Sequence, residues 1–155
     1  MTTTAEKNRM RSAARLYAVQ ALFQMEVGDQ SAEAVRREFE TWRIGTDQHE
    51  GEEMAEADIP LFRSLLDAAV NSQAKIDQMT HQALVVKWPI ARLDPTLRAL
   101  FRAAGAELLQ PGTPPRVVIN EFVEIAKAFF PEGREARFVN AVLDHMAHQA
   151  RPEDF

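Results

Sequence analysis

Residues 7–27, KNRMRSAARLYAVQALFQMEV, constrain the fold more than any other stretch of the chain. One predicted helix carries two chemistries. Its first half bears Lys7, Arg9, Arg11 and Arg15, and its second half bears Leu16, Val19, Leu22, Phe23 and Met25. At about 100° per residue these apolar side chains point to nearly every side of the helix axis, leaving Gln20 and Gln24 as the polar strip. A helix apolar almost all round belongs in a core, so its C-terminal part is expected to be the buried hub of the fold. Its N-terminal turns then carry cations out into solvent, and guanidinium groups there suit a polyanion.

The remaining segments read as further helices. Ser31 is an N-cap for a helix in which Val35, Phe39 and Trp42 form a core-facing stripe, closed by Gly45. Residues 46–58 turn acidic, with Asp47, Glu50, Glu52, Glu53, Glu56 and Asp58, and are expected to be a solvated loop. Asp58 then caps a long amphipathic helix carrying Leu61, Leu65, Leu66, Ala69 and Ile76, with Asn71-Ser72 as the point where it can kink or split. Lys87-Trp88-Pro89 marks a turn. Asp94-Pro95 is the clearest start signal and opens a stripe of Leu97, Leu100, Phe101, Ala104 and Leu108.

Pro111-Gly112-Thr113-Pro114-Pro115 breaks the chain before Val118, Phe122, Ile125, Ala126 and Phe129 mark another helix. The last helix, over about residues 135–148, carries Phe138, Val142 and Met146 with Val139 and Leu143 beside them. No stretch alternates as a strand does. The expected fold is all-α, a single domain of about seven helices, with short mobile tails at residues 1–5 and 151–155.

Composition sets the limits on function. A chain of 155 residues, 46% hydrophobic, supports one domain with a real core. A net charge of −5 excludes binding of nucleic acid by bulk electrostatics, so any such site has to be a local basic patch on an acidic body. The chain has no cysteine, hence no disulfide framework and no thiolate chemistry. No apolar run approaches the roughly 20 residues that span a bilayer, and the N-terminus lacks a signal-peptide core. These features read as a soluble, cytoplasmic protein. His145 and His148 beside Asp144 lack further ligands in the sequence nearby and read as surface histidines, not a metal site. Asn120 and Glu121 read as a helix start with a polar face, and Trp42 and Trp88 as core or half-buried aromatics. No phosphate loop, HExxH or nucleophile elbow is present, and no enzymatic activity is expected.

Three stretches together resemble the bacterial transcription antitermination factors of the NusB family. They are the basic helix ending Ala18-Val19-Gln20-Ala21-Leu22-Phe23, the run from Arg92-Leu93-Asp94 through Leu100-Phe101-Arg102-Ala103 to Glu107-Leu108, and Val118-Ile119-Asn120-Glu121-Phe122-Val123-Glu124-Ile125-Ala126-Lys127 followed by Phe138-Val139-Asn140-Ala141-Val142-Leu143-Asp144. Ala141 stands where the family usually has glycine, and Phe23 where tyrosine is common. The resemblance implies an all-α fold of two packed helical subdomains, without cofactor or catalysis. It further implies binding to boxA-like single-stranded RNA together with the ribosomal protein NusE, in an RNA polymerase antitermination complex that supports ribosomal RNA transcription.

By the same resemblance Lys7, Arg9, Arg11 and Arg15, with Arg134, Arg137 and Phe138, are the candidate RNA-binding residues. Phe138 has an alternative role as a core residue on the Val142 and Met146 stripe. Phe23, Leu97 and Arg98 are the candidate partner-binding residues. Two other readings compete: a domain related to those at the N-terminus of RNA cytosine methyltransferases, and a helical adaptor whose basic end docks an acidic partner without RNA.

Overall fold

Short polar side chains set most of the helix starts in the computed structural model, which describes residues 3–44, 56–85 and 93–155, with the side chains of Val85 and Arg134 left out. Thr3 and Glu6 form a reciprocal capping box, with Glu6 N donating to Thr3 Oγ1 at 3.1 Å and Thr3 N donating to Glu6 Oε2 at 3.3 Å. Helix α1 therefore spans Thr4–Gly28, and Thr3 to Ala5 of the expected lead-in form its capped start. Ser31 caps α2, Ala32–Glu38, and a π turn, Phe39–Arg43, follows. Asp58 and Asp94 cap α3, Ile59–Asn71, and α5, Pro95–Leu108. Between them α4 spans Gln73–Val85. Helices α6, Pro115–Phe129, and α7, Arg134–Ala150, precede a closing 3₁₀ turn, Pro152–Asp154. Among the described residues there are seven α-helices and no strand. Gly45, most of the acidic 46–58 segment, and the turn at Trp88-Pro89 lie outside the described residues.

The expected long helix after Asp58 splits at Ser72, whose φ of −114° and ψ of 20° leave the helical region. Ser72 N still donates to Ala68 O, and Ile76 N to Ser72 O, each at 2.9 Å, so the chain turns without orphaning its amides. The π turn corrects a different expectation. Ile44 N donates to Phe39 O at 2.8 Å, an i→i+5 bond. A wider turn rotates less per residue than an α-helix, so Trp42 does not return to the face that Val35 and Phe39 hold. Trp42 is 72% exposed, while Phe39 stacks on Phe62 with ring centroids 5.9 Å apart. Asn120 is likewise no helix start, because α6 begins at Pro115 and Asn120 lies exposed within it.

The hub of the fold is α5, where the sequence pointed to α1. From Leu97 to Leu108 every residue of α5 except Arg98 and Arg102 is buried. It packs against α1 and α3 on one side and against α4, α6 and α7 on the other, so the two helical layers share it. The physical reason is the run Ala103-Ala104-Gly105-Ala106, whose small side chains admit neighbours on several sides. A Cβ on Gly105 would lie 2.5 Å from Ile76 Cγ2 and 3.3 Å from Met146 Cε, so this residue sets the approach of α4 and α7. In α1 the buried residues run from Ala14 to Leu22, while Leu16, Phe23 and Met25 are only half-buried.

Arg15 is not a solvent cation. Its side chain is 2% exposed, and Nε and Nη2 donate to the two carboxylate oxygens of the equally buried Glu107 at 2.7 and 2.8 Å. Nη1 lies 3.3 Å from Glu121 Oε1. Burial alone would lower the Arg15 pKa, but the Glu107 hydrogen bonds and the charges of Glu107, Glu121 and Asp58 together raise it. The pair fixes α1 on α5 through a bidentate, charge-assisted contact. At this same C-terminal end of α5, Arg151 closes the helix: Nε donates to Leu108 O at 2.7 Å, and Nη2 to Glu107 O at 2.9 Å and, just beyond the helix, to Gln110 O at 2.6 Å. These contacts serve carbonyls at and just beyond the helix terminus, and they tie Arg151, the first residue of the expected C-terminal tail, to the end of α5.

Two expected outcomes test this packing. Arg15→Ala leaves Glu107 buried without its partner and should lower unfolding free energy by about 3 to 5 kcal/mol, read from urea denaturation. An effect below about 1 kcal/mol, typical of a surface pair, would contradict the burial. Gly105→Ala gains about 1 kcal/mol of helix propensity and loses about 1 to 3 kcal/mol to overpacking against Ile76. Its melting temperature should fall despite the better helix former.

Candidate nucleic-acid interface

Pairing along α5 places the ends of its neighbours. Arg98 Nε donates to Glu26 Oε1 at 2.7 Å near the start of α5, and Arg15 meets Glu107 near its end, so α1 runs antiparallel to α5. The basic start of α1 consequently projects past the C-terminal end of α5. There Arg11 Nη2 donates to Thr113 Oγ1 at 3.0 Å in the connection to α6. Asp58 N donates to Met10 O at 3.0 Å and holds the start of α3 against the same turns. Lys7 and Arg11 line a hollow of about 640 Å³ with Met10, Ala57 and Pro60.

The four cations separate into two kinds. Lys7 and Arg9 are exposed, and among the described residues neither forms an ion pair. Arg11 is half-buried and tied to a neutral hydroxyl, and among the described residues it forms no ion pair. Arg15 is sequestered by Glu107. The site that remains is a local patch of Lys7, Arg9 and Arg11 on an acidic chain. Spacing alone did not reveal the difference, because all four residues fall within the same few turns.

The second group of candidates lies on α7. Gly133, at φ 86°, turns the chain into this helix. The Arg134 side chain lies outside the described residues. Arg137 is exposed and, among the described residues, has no ion pair. Phe138 is half-buried, its ring edge-on to Phe101 at 6.1 Å between centroids, while Val139, Val142, Leu143 and Met146 fill the core beneath. It therefore packs and presents an edge at once. Phe138 meets Phe101 and Arg151 meets Leu108, so α7 runs in the same sense as α5. Six residues of α5 and four of α1 then separate Phe138 from Arg11 by roughly 15 Å along the α5 axis, at about 1.5 Å per residue. The structure does not bring them into contact.

A groove of about 450 Å³ lies at the opposite end of α1. Phe23 lines it with Val19, Gln24, Val27, Thr96 and Phe129, and Arg43 stands at its edge. Leu97, expected on this surface, is only 7% exposed and belongs to the core. Its neighbour Thr96 takes the rim position instead, one residue being enough to turn 100° away on a helix. Arg98 is half-buried, held by Glu26 and by Leu93 O, to which Nη1 donates at 2.8 Å. Val27 and Phe129 are exposed apolar members that sequence reading did not assign to a surface. Val27 stands four residues after Phe23, a spacing that offered the signal.

Elsewhere, His148 Nδ1 lies 2.8 Å from Asp144 O and its ring stacks on Phe155, with centroids 3.7 Å apart. Among the described residues no group of three metal-binding side chains comes together, and no helix is long and apolar enough to cross a membrane.

Comparison with known proteins fits this architecture. The profile of the NusB family matches residues 12–148. The transcription antitermination protein NusB of Granulibacter bethesdensis is 47% identical over 154 residues, covering 96% of this chain and 94% of that protein. Its counterpart in Maricaulis maris is 49% identical over 148 residues, covering 95% and 91%. Among solved structures, NusB of T. maritima superposes with a TM-score of 0.72 at 29% identity, covering 100% of this chain and 99% of that one. A chain from a crystal structure of the antitermination factors NusB and NusE in complex with dsRNA superposes with a TM-score of 0.71 at 24% identity, covering 91% and 98%, and shows the shared fold. With a family match across most of its length and relatives near half identity, the chain belongs to the NusB family.

Proposed function

We propose that this protein is a transcription antitermination factor that binds boxA-type RNA together with NusE and supports ribosomal RNA transcription in the cytoplasm. The observation that carries the reading is the likeness to antitermination factors at 47 to 49% identity over nearly their full length. A solved relative of the same fold is a NusB in complex with NusE and dsRNA. The geometry supplies a matching surface. Cations at the start of α1, without ion pairs among the described residues, attract the phosphate backbone, and the apolar groove around Phe23 at the other end of α1 offers a separate place for a protein partner. The role is one of binding, with no chemistry performed on the RNA. The relatives matched over nearly their full length are antitermination proteins, which favours this reading over that of a methyltransferase-associated domain.

On this reading Arg137 and the exposed edge of Phe138 extend the RNA path along the body, a distance that a few nucleotides of extended single strand cover. Charge at one end secures affinity, and an aromatic face at the other adds stacking.

The reading is tested by titrating a boxA-like RNA with and without NusE across salt concentrations. NusE should tighten binding, since two weak RNA contacts held together gain through effective concentration. Replacing Lys7, Arg9 and Arg11 together by Gln should reduce the log–log salt slope by roughly 2, since each phosphate neutralised on a single strand accounts for about 0.7. A folded variant with an unchanged slope would remove α1 from the RNA site. Phe138→Ala should weaken binding by about 1 to 3 kcal/mol, to a similar extent at every salt concentration. If its melting temperature drops sharply while the folded fraction binds normally, Phe138 is a packing residue only.

A further inference from the structure

The polar strip of α1 lies inside the apolar groove at the far end of that helix from its cations. Gln20 and Gln24 line the groove between Val19, Phe23, Val27 and Phe129. Gln24 is engaged: its Nε2 donates to Gln30 Oε1 at 2.9 Å and to Glu38 Oε2 at 2.6 Å, which leaves only its Oε1 open, as an acceptor. Gln20 is half-buried, and among the described residues its carboxamide makes no hydrogen bond. Two donors and an acceptor therefore face the groove without a partner from the fold.

An apolar surface closing over Gln20 would strip these groups of water and leave them unpaired, which is unfavourable. A helix laid in the groove brings no main-chain groups to them, because its own are paired internally. An extended segment does, since a residue facing the groove presents N–H and C=O on the same side, as it does to the opposite residue of an antiparallel strand. A carboxamide returns both bonds. The spacing agrees as well: Gln20 and Gln24 are about 6 Å apart along α1, and groups on one edge of an extended chain repeat about every 6.8 Å.

Charge narrows the occupant further. Arg43 at the edge of the groove lies 3.4 Å from a Glu38 oxygen and over the Phe39 ring, and Glu26 is paired with Arg98. Asp29, next to Gly28 of the lining, is exposed and among the described residues has no ion pair. Helix α1 carries no basic residue in its last turn to offset the partial negative charge of its C-terminus. This end of the groove is complementary to a cation.

We propose that the groove holds an extended segment of the protein partner, read through its main chain by Gln20, a proposal that rests on the reading that NusE docks here. One apolar side chain of the segment packs against Phe23, Val27 and Phe129, and a basic one meets Asp29.

The full-length protein is titrated with NusE by calorimetry, and amide exchange of isotope-labelled NusE is followed by NMR in the complex. NusE should gain protection at amides two residues apart within one segment. Gln20→Ala should remove protection at one of them and weaken binding about tenfold, the effect of one or two hydrogen bonds. This variant should fold, since Gln20 bonds nothing among the described residues and Ala is the better helix former. Asp29→Asn, which suits the left-handed turn there, should weaken binding at low salt and match the native protein at high salt. Native affinity in Gln20→Ala, with binding lost in a folded Phe23→Asp variant, keeps NusE in the groove and overturns the main-chain pairing. Absence of newly protected amides in NusE overturns the extended segment. Native affinity of Asp29→Asn at low salt overturns the basic contact. A native protein that does not bind NusE, or a folded Phe23→Asp variant that binds it normally, overturns the reading on which the proposal rests.

Discussion

The buried Arg15–Glu107 ion pair is the constraint to which the rest of the structure is fitted. It ties α1 to the central helix α5 by two short hydrogen bonds, at 2.7 and 2.8 Å, in a place where neither charge has water to fall back on. Such a pair adds little net stability compared with apolar packing, but it allows little freedom of register, because any slip of α1 along α5 would leave two buried charges unpaired. Fixing the register of α1 fixes where its first turns project. That projection carries Lys7, Arg9 and Arg11 past the end of α5 and presses Arg11 against Thr113.

The same contact sorts charges by role. Arg15 is consumed by the fold, and its neighbour Arg11, one turn earlier, is left with a neutral partner and a surplus charge. An acidic protein can therefore carry a site for a polyanion without being attracted to polyanions generally. Glu121 stands at the boundary, touched by Arg15 from the interior and by Ser12 from the rim. The interior of the fold and its proposed RNA surface thus share one network of side chains.

Much of the fold was legible in the sequence, because caps and breakers have local causes. Ser31, Asp58 and Asp94 cap the helices they were read to cap, and the split at Ser72 falls where a weak point was expected. Tertiary facts were less accessible. Which helix becomes the hub depends on the small residues of α5 admitting neighbours on several sides, a property that a hydrophobic stripe does not express. The fate of Arg15 depends on a carboxylate 92 residues away. The exposure of Trp42 depends on a π turn that no residue type announces. At the proposed partner surface, Phe23 lines a groove, whereas Leu97 turns inward and its neighbour Thr96 takes a place in the lining, a difference of one helical position.

In the proposed binding mode RNA meets the start of α1, while Arg15, on the same helix, serves only the fold. It is tested most directly by following arginine side-chain Nε–H signals by NMR during titration with boxA-like RNA. The Arg15 signal should exchange slowly with solvent before RNA is added and stay in place throughout, while the Arg9 and Arg11 signals shift. An Arg15 signal that exchanges freely and moves together with that of Arg11 would contradict the account.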